Sequence, residues 1–339
     1  MSTTARRGLC VFGANLDALA TGAEAADAAG FDGVWTSELY NRSATVTLAA
    51  AALRTSRARL GSGIIYGVGR SPLMLAAEAA DLDELSGGRF ILGLGNGTRR
   101  MISDWHGLDG EAPAVRMEEL VPLVRKIWRL PEEPIDHDGR FYKLKLAALD
   151  RSGRVPEIPI YTAGVGARMI ESAGRVADGL LGHALFTAEH IAEVVRPAIA
   201  KGAAHADRDP ADVAVASLVI SVVDDDADRA RAEAAAQIAF YCSAKTYGAL
   251  LDSHGFVAEG AAIREAFAAG DFPAMVAAVS DDMVDRMALA GTPDEVKAAA
   301  RRYEGILDHL ILYAPSYGVS AERAEENANG LVTAFGEAS

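Results

Sequence analysis

The chain of 339 residues has little cysteine, few aromatic residues and a shortage of positive charge. Its two cysteines, Cys10 and Cys242, form neither a metal-ligand spacing nor a disulfide framework, so we expect reduced thiols and no metal site. The net charge of -14 disfavours a nucleic-acid partner, because a phosphate backbone would be repelled. No apolar run approaches the ~20 residues of a membrane span, and the chain does not begin like a signal peptide. We therefore expect a cytoplasmic protein with no membrane partner.

Half of the residues are hydrophobic, which is enough for one large domain or two ordinary ones. Short apolar runs typical of buried strands alternate with helical periodicity through most of the sequence. The predicted strands cover residues 8–12, 33–36, 59–65, 90–94, 159–162, 179–181, 213–222 and 307–312. The helices predicted between them cover residues 17–29, 45–54, 72–85, 115–129 and 167–176. Eight strands with intervening helices predict a single (β/α)8 TIM barrel over residues 1–339 rather than an open doubly wound sheet.

Two stretches depart from this alternation. Residues 137–144, HDGRFYKL, predict a hairpin with an Asp-Gly turn. Residues 226–287 are alanine-rich and helical, and they lie between predicted strands seven and eight. This insertion is too long for one connecting helix, so we expect several helices beside the barrel mouth or at a subunit contact.

The most informative stretch is 82–97, LDELSGGRFILGLGNG. The glycine pair ends a helix, and the run FIL is typical of a strand that is covered on both faces. Gly93, Gly95 and Gly97 then let the backbone approach a ligand without intervening Cβ atoms. Such a loop at the carboxyl end of a parallel strand is typical of phosphate or flat-cofactor sites. The alternative is a tight turn packed against a helix.

Five segments, in order, carry a resemblance to a known family. They are GFDGVWTSELYNR (30–42), LGSGI followed by RSP (60–72), LDELSGGRFILGLGNG (82–97), PEIPIYTAGVGARMIESAGRVADGLL (156–181) and GTPDEV (291–296). Together they resemble the bacterial luciferase-like monooxygenase superfamily, particularly its coenzyme F420-dependent branch. That branch includes methylenetetrahydromethanopterin reductase, and Tyr40, Asn41 and Arg42 match the reductase type.

The resemblance implies three cofactor contacts. Strand three of the family carries a bulge with a cis peptide behind the isoalloxazine-like ring, and the matching bond here is Gly63–Ile64; the alternative is an ordinary buried strand. The backbone of the loop after strand four contacts the cofactor, and the matching residues are Gly95, Asn96, Gly97 and Thr98. Amides at the start of the helix after strand five hold the cofactor phosphate. The matching residues are Ala163, Gly164, Val165 and Gly166, whose glycines could instead be simple turn residues.

Ser37-Glu38-Leu39 departs from the family, whose members often have an Asp-His or Glu-His pair here. Glu38 keeps the acid, whereas Leu39 cannot transfer a proton, which disfavours a sugar-phosphate dehydrogenase. Cys10 stands where the reductase carries an acid in its first strand, which argues against its folate-like substrate. We interpret Glu38 as the catalytic-site acid that orients the ring, through its polar edge or a nearby side chain. The alternative is a surface glutamate.

Several other side chains near predicted strand ends are candidate site residues, and each has a functional and a structural interpretation. His106 and His183 could contact substrate, although a lone histidine is more often structural. Trp105 and Tyr66 could line an apolar substrate pocket, or they could belong to the ordinary packing of the protein. Three arginines, Arg70, Arg99 and Arg100, could form a local anion site. The alternative is that they are ordinary solvent-exposed side chains.

The resemblance implies an F420-dependent oxidoreductase that transfers hydride between the deazaflavin and a small organic substrate. One alternative is a monooxygenase of the same fold that uses reduced FMN and oxygen. Another is a flavin-binding protein without catalytic activity. The alanine-rich helices predict a homodimer, as the resemblance also implies.

Overall fold

The computed structural model describes residues 5–130, 133–147 and 155–336. Numbered in chain order, the strands in these residues are β1 (Arg6–Cys10), β2 (Gly33–Thr36), β3 (Arg59–Ser62), β4 (Ile65–Tyr66), β5 (Phe90–Gly95), β6 (Ile135–Asp138), β7 (Lys143–Leu146), β8 (Ile160–Ala163), β9 (Gly179–Gly182), β10 (Ala214–Val223), β11 (Ala288–Gly291) and β12 (His309–Tyr313).

The helices are α1 (Leu16–Ala28), α2 (Ala44–Ala52), α3 (Pro72–Ser86), α4 (Arg99–His106), α5 (Pro113–Trp128), α6 (Ala167–Val176), α7 (Ala188–His190), α8 (Arg196–Ala204), α9 (Ala227–Cys242), α10 (Gly248–His254), α11 (Val257–Ala269), α12 (Phe272–Ala277), α13 (Asp281–Met287), α14 (Pro293–Ala300) and α15 (Ala321–Phe335). Within the described residues, none of these helices is long and apolar enough to cross a membrane.

The chain forms two compact units, the first of which comprises residues up to 35, 182–196 and from 215 onward. Its strands are parallel, in the order β11–β10–β12–β1–β2. In register, Leu9 of β1 lies beside Leu312 on one side and Val34 on the other. All five residues of β12 are buried, as expected for a parallel strand covered on both faces.

Helices α9 to α13 of the first unit follow β10 and occupy the segment predicted as a helical insertion. Strand β11 comes next and was not predicted. It pairs in parallel with β10, from Ile220 beside Ala288 to Val223 beside Gly291. Its sequence, ALAG, contains no β-branched or aromatic residue, so local propensity gives no strand signal there.

The second unit comprises residues 36–181 and 197–214, and its parallel strands run in the order β3–β5–β8–β9 with β4 also beside β5. The strand predicted over 59–65 is present, but it is divided into β3 and β4 by a bulge. Gly61 lies opposite Ile91, and Ile65 lies opposite Leu94. Three residues on one side therefore face two on the other, which is a β-bulge.

Most predicted strands and helices of both units begin and end within a few residues of the observed bounds, and α6 matches its predicted range. Helix α4 was not predicted, because we expected a long loop after the fourth strand. The Thr98 hydroxyl caps α4 by accepting from the Met101 N–H at 3.2 Å, and Gly107 ends it in the left-handed conformation.

The predicted hairpin is confirmed as β6 and β7, which pair antiparallel. A carboxylate of α5 holds it: Glu119 accepts the Phe141 N–H at 3.0 Å, the Tyr142 N–H at 2.9 Å and a hydrogen bond with His137 Nε2 at 3.0 Å. The Arg116 guanidinium also lies over the Phe141 ring at 4.3 Å. The hairpin is therefore fixed by hydrogen bonds from outside its own turn.

Candidate functional site

The side chain of Ser62 connects the bulge between β3 and β4 to β5 through two hydrogen bonds. The Ser62 hydroxyl donates to the Gly93 carbonyl at 2.9 Å and accepts from the Gly93 N–H at 2.8 Å. The Gly63–Ile64 peptide is cis, so the expectation from the resemblance is confirmed. Ser37 Oγ donates to the Gly63 carbonyl at 2.8 Å. Both residues of the cis bond are partly exposed, which leaves the bulge accessible.

Two glycines of β5 are required by this close approach. A Cβ at Gly93 would lie 1.7 Å from the Ser62 carbonyl oxygen. A Cβ at Gly95 would lie 2.1 Å from Cδ1 of Ile64. The alternating glycines therefore make room for the bulge, and the Ile64 side chain packs on the strand where a side chain would otherwise stand.

Glu38 lies behind the bulge in an ion pair with Arg70. Its Oε1 accepts from Arg70 Nη1 at 2.7 Å and from the Tyr66 N–H at 3.2 Å, and its Oε2 accepts from Arg70 Nη2 at 2.6 Å. The Glu38 backbone N–H donates to the Ile64 carbonyl at 3.1 Å. Only 9% of the Glu38 side chain is exposed. The carboxylate therefore ties Arg70 and the end of the bulge together, as a buried bidentate pair can.

Arg70 itself forms ion pairs with two acids, Glu38 and Glu78. Its Nε donates to Glu78 at 2.9 Å. The hydrogen bond to Glu38 is the main influence that raises the pKa of Arg70, against the opposing effect of burial. Among the other arginines proposed for an anion site, Arg100 pairs with Asp104 at the surface, and Arg99 lines a cavity beside the β5 loop.

The loop after β5 turns at Gly97, whose φ of +62° lies in the left-handed region. Asn96 Nδ2 donates to the Pro113 carbonyl at 3.2 Å and lies 4.0 Å from Met169 Sδ. Asn96 thereby joins this loop to the start of α5 and to the first turn of α6. The cavity beside the loop has a volume of about 350 Å³ and is lined by Asn96, Gly97, Arg99, Ile102, Gly110, Glu111, Ala112 and Pro113.

The loop from Ala163 to Gly166 leads into α6, whose amino terminus is open. Gly166 is the N-cap residue, and no side chain caps the helix. Gly166 is exposed, and a Cβ there would meet nothing within 4 Å. At Gly164, by contrast, a Cβ would lie 2.5 Å from Cβ of Met169. Exposed first-turn amides at a helix amino terminus are suited to an anion, so this end of α6 fits a phosphate group.

A buried hydroxyl at the end of β8 adds a second observation. Thr162 Oγ1 is buried and has no hydrogen-bond partner within the described part of the chain. Such a group normally has a partner, and a bound ligand beside the loop that follows would supply one.

Other predicted side chains lie away from these loops or in the core. Tyr66 is buried and packs edge-on against the exposed His106, with ring centroids 5.3 Å apart. Trp105 is 46% exposed and contacts Tyr40 at the surface. Tyr66 is thus a core residue in this unit, while Trp105 belongs to an exposed aromatic pair.

The structure also places Leu39 and Cys10, the two positions at which the sequence departs from the family pattern. Leu39 is 43% exposed and lies in a turn closed by reciprocal backbone hydrogen bonds with Arg42, at 3.0 and 3.2 Å. In the first unit, buried Cys10 ends β1, and its neighbours in register are Tyr313 and Trp35. Leu39 thus stands in place of the histidine, and Cys10 in place of the acid, that the resemblance led us to expect.

Sequence reasoning did not find the partners that hold this site. It proposed Arg70 for an anion, whereas Arg70 binds Glu38, 32 positions earlier in the chain. It also gave no role to Ser37 and Ser62, which fix the bulge. The only signal in the sequence for a role of Arg70 at this site was that it begins RSP, one of the segments that carry the resemblance.

Comparison with known proteins gives the family. The sequence profile of the luciferase-like monooxygenase family matches residues 2–310, and the chain belongs to this family. A 5,10-methylenetetrahydromethanopterin reductase of Methanolobus tindarius is 33% identical over 305 residues, 89% of this chain and 91% of the relative. An uncharacterized protein of Mycobacterium tuberculosis is 34% identical over 304 residues, 85% of this chain and 89% of the relative.

A solved structure gives the fold. The coenzyme F420-dependent tetrahydromethanopterin reductase from Methanopyrus kandleri superposes with a TM-score of 0.82 at 27% identity, covering 98% of this chain and all of the other. The chain has the (β/α)8 TIM-barrel fold of the luciferase-like family, with a helical insertion between strands seven and eight of the barrel, and that prediction is confirmed.

Proposed function

We propose that this protein is a coenzyme F420-dependent oxidoreductase that transfers hydride between the deazaflavin and a small organic substrate. The observation that carries the proposal is the likeness to the F420-dependent reductase structure, which extends over the whole of that chain at 27% identity. The accessible bulge and the open amino terminus of α6 support it, because a flat ring and a phosphate need these two features.

We propose that residues of the second unit hold the cofactor. Gly63 and Ile64 support the ring, and the amides after Gly166 bind the phosphate group. The residues of the β5 loop and of the loop before α6 complete the contacts: Gly95, Asn96, Gly97, Thr98, Ala163, Gly164 and Val165. When bound, F420 supplies the hydride carrier, and the protein supplies binding, orientation and electrostatics.

Glu38 acts in this proposal by orienting the ring rather than as a general base. Arg70 and the Tyr66 N–H already occupy its carboxylate oxygens, so the side chain is committed to holding the bulge. Its neighbour Leu39 has no group that could transfer a proton. Proton transfer to or from substrate therefore falls to other residues or to water.

Binding and turnover test the function. Protein freed of any cofactor is titrated with F420 and, in parallel, with FMN, and binding is followed by absorbance and fluorescence. We expect F420 to bind and to exchange hydride with at least one member of a panel of carbonyl, alcohol and alkene acceptors. Tight FMN binding with none for F420, and oxygen consumption with reduced FMN, would instead indicate a monooxygenase. Cofactor binding with no turnover on any acceptor would indicate a flavin-binding protein.

We also propose that residues 1–339 work as one domain in a cytoplasmic homodimer. Apolar side chains exposed on the insertion helices support the dimer: Val257 on α11 is 56% exposed and Phe272 on α12 is 50% exposed. Light scattering at micromolar concentration should report twice the chain mass of 35.5 kDa. A species of 35.5 kDa would contradict the dimer.

A further inference from the structure

Aromatic side chains cluster in the first unit, where strands end. His183 directly follows β9, Tyr313 ends β12, and Tyr241 and Tyr247 come from the insertion. The His183 ring lies 4.3 Å from the Tyr247 ring at 33° and 4.8 Å from the Tyr241 ring at 76°. The Tyr241 hydroxyl donates to the Tyr313 hydroxyl at 2.9 Å. In a (β/α)8 barrel, the carboxyl ends of strands are where substrates bind.

One ring nitrogen of His183 has a hydrogen-bond partner, and the other has none among residues 5–130, 133–147 and 155–336. Nδ1 accepts a hydrogen bond from the Leu185 N–H at 3.2 Å. An acceptor nitrogen carries no proton, so the proton of the neutral ring lies on Nε2. Nε2 has no acceptor within the described residues, and His183 as a whole residue is of intermediate exposure. His183 therefore presents an N–H donor that no acceptor in the described part of the chain uses.

The charge state of this cluster is neutral at ordinary pH. Burial lowers the pKa of His183 to about 4. Protonation of Nδ1 would also break its hydrogen bond with the Leu185 N–H, because two N–H donors would then face each other. Burial raises the pKa of Tyr247 to about 12 and that of Tyr241 well above its usual value. Planar faces, a free donor and no charge together fit an uncharged ligand with an acceptor atom.

The insertion fixes the turn that orients His183. His254, at the end of α10, hydrogen-bonds through Nε2 to the Leu185 carbonyl at 3.1 Å. The His254 carbonyl in turn accepts from Arg286 Nη1 at 3.1 Å. The His183 carbonyl accepts from the Phe186 N–H at 2.9 Å, which closes the turn. His254 is therefore a positioning residue, because it acts on His183 through Leu185.

We propose that His183 is a fixed, neutral hydrogen-bond donor that binds the carbonyl oxygen of an uncharged, planar organic substrate packed against Tyr241 and Tyr247. Only the naming of this ligand as the hydride partner rests on the proposed function. The binding site itself follows from the cluster.

The first test observes the donor directly, in the full chain without cofactor. The seven histidines are labelled with 13C and 15N, and the His183 signal is assigned with a His183→Gln variant. We expect a neutral ring with its proton on Nε2 throughout pH 5.5 to 8. Acetophenone should shift the Nε2–H resonance, whereas α-methylstyrene, the same shape with no acceptor oxygen, should leave it in place. A charged ring at pH 6, equal shifts with both probes, or no shift with either would overturn the proposal.

The second test uses variants. His183→Phe keeps the ring and removes the donor, so it should weaken acetophenone binding about tenfold, the loss expected for one hydrogen bond. His205→Phe makes the same change at an exposed histidine and should bind like the parent. His254→Leu should weaken binding less than His183→Phe, and His254→Gln, which retains an N–H donor, should restore it. If His183→Phe fails to fold, the labelled parent and its two probes still decide the question.

The two proposals fail in different ways. If neither F420 nor FMN binds but acetophenone still shifts the His183 signal, the proposed function is wrong and this site remains. If F420 binds and His183→Phe reduces acetophenone at the parental kcat and KM, the function stands and the role of His183 is wrong.

Discussion

Removing the Glu38 carboxylate should destabilise the second unit measurably, because it breaks a bidentate ion pair that is largely buried. Deleting one partner of a fully buried pair costs about 3–5 kcal/mol. Here Arg70 keeps its 2.9 Å contact with Glu78 and is 19% exposed, so water and a second acid offset part of the loss. We therefore expect Glu38→Ala to lower the free energy of unfolding by about 2 kcal/mol. Glu38→Gln, which retains an acceptor oxygen, should lower it by about 1 kcal/mol.

A double-mutant cycle with Arg70→Met isolates the pair. Urea denaturation followed by circular dichroism and tryptophan fluorescence should give a coupling energy of about 1–2 kcal/mol between Glu38 and Arg70. Hydrogen exchange at the Tyr66 amide gives a local readout, since this N–H donates to Glu38. Its protection should fall in Glu38→Ala and largely persist in Glu38→Gln.

The matched control is Asp104→Asn, which neutralises the acid of the exposed Arg100–Asp104 pair and should leave stability unchanged. A coupling energy below about 0.3 kcal/mol would refute the view that this pair holds the bulge, since exposed pairs give as little. If both Glu38 variants also bound F420 and turned over like the parent, Glu38 would have no role in orienting the ring.

Three further predictions concern the loops and the hairpin. Gly166→Asp should cap α6 and place a negative charge at the proposed phosphate site, so F420 binding measured by calorimetry should weaken at least about tenfold, while Gly166→Ala binds like the parent. Gly95→Ala forces Ile64 to move and should cost about 1–3 kcal/mol in urea denaturation; parental stability and cofactor affinity would argue against the tight approach. Although burial opposes it, hydrogen bonds from His137 and the hairpin amides lower the pKa of Glu119 below 4.5, so its contribution is complete above that value and is lost as the pH falls through the lowered pKa. Amide exchange in the hairpin should rise over that acid range, and a Glu119→Gln protein that kept the same acid dependence would contradict the assignment.

Local sequence determined a large part of this protein. The alternation of apolar runs and helical periodicity predicts the order of the strands and helices, because each signal depends on residues within one element. The Asp138-Gly139 pair likewise predicts the hairpin, since its preference for a tight turn is local. The resemblance adds the cis bond at Gly63–Ile64 and the open loop before α6, which no periodicity would reveal.

Tertiary structure decided which groups meet. Glu38 and Arg70 are 32 positions apart, and only the pairing of β4 with β5 beside the bulge brings the arginine to the carboxylate. Strand β11 forms without a strand-like sequence, because β10 offers it an open row of hydrogen-bonding partners. The neutral state of His183 depends on burial and on the Leu185 amide, and neither is a property of the histidine itself. Hydrogen-bond partners and burial are long-range properties of the fold, so residue types near strand ends indicate a site but not how its groups are charged or held.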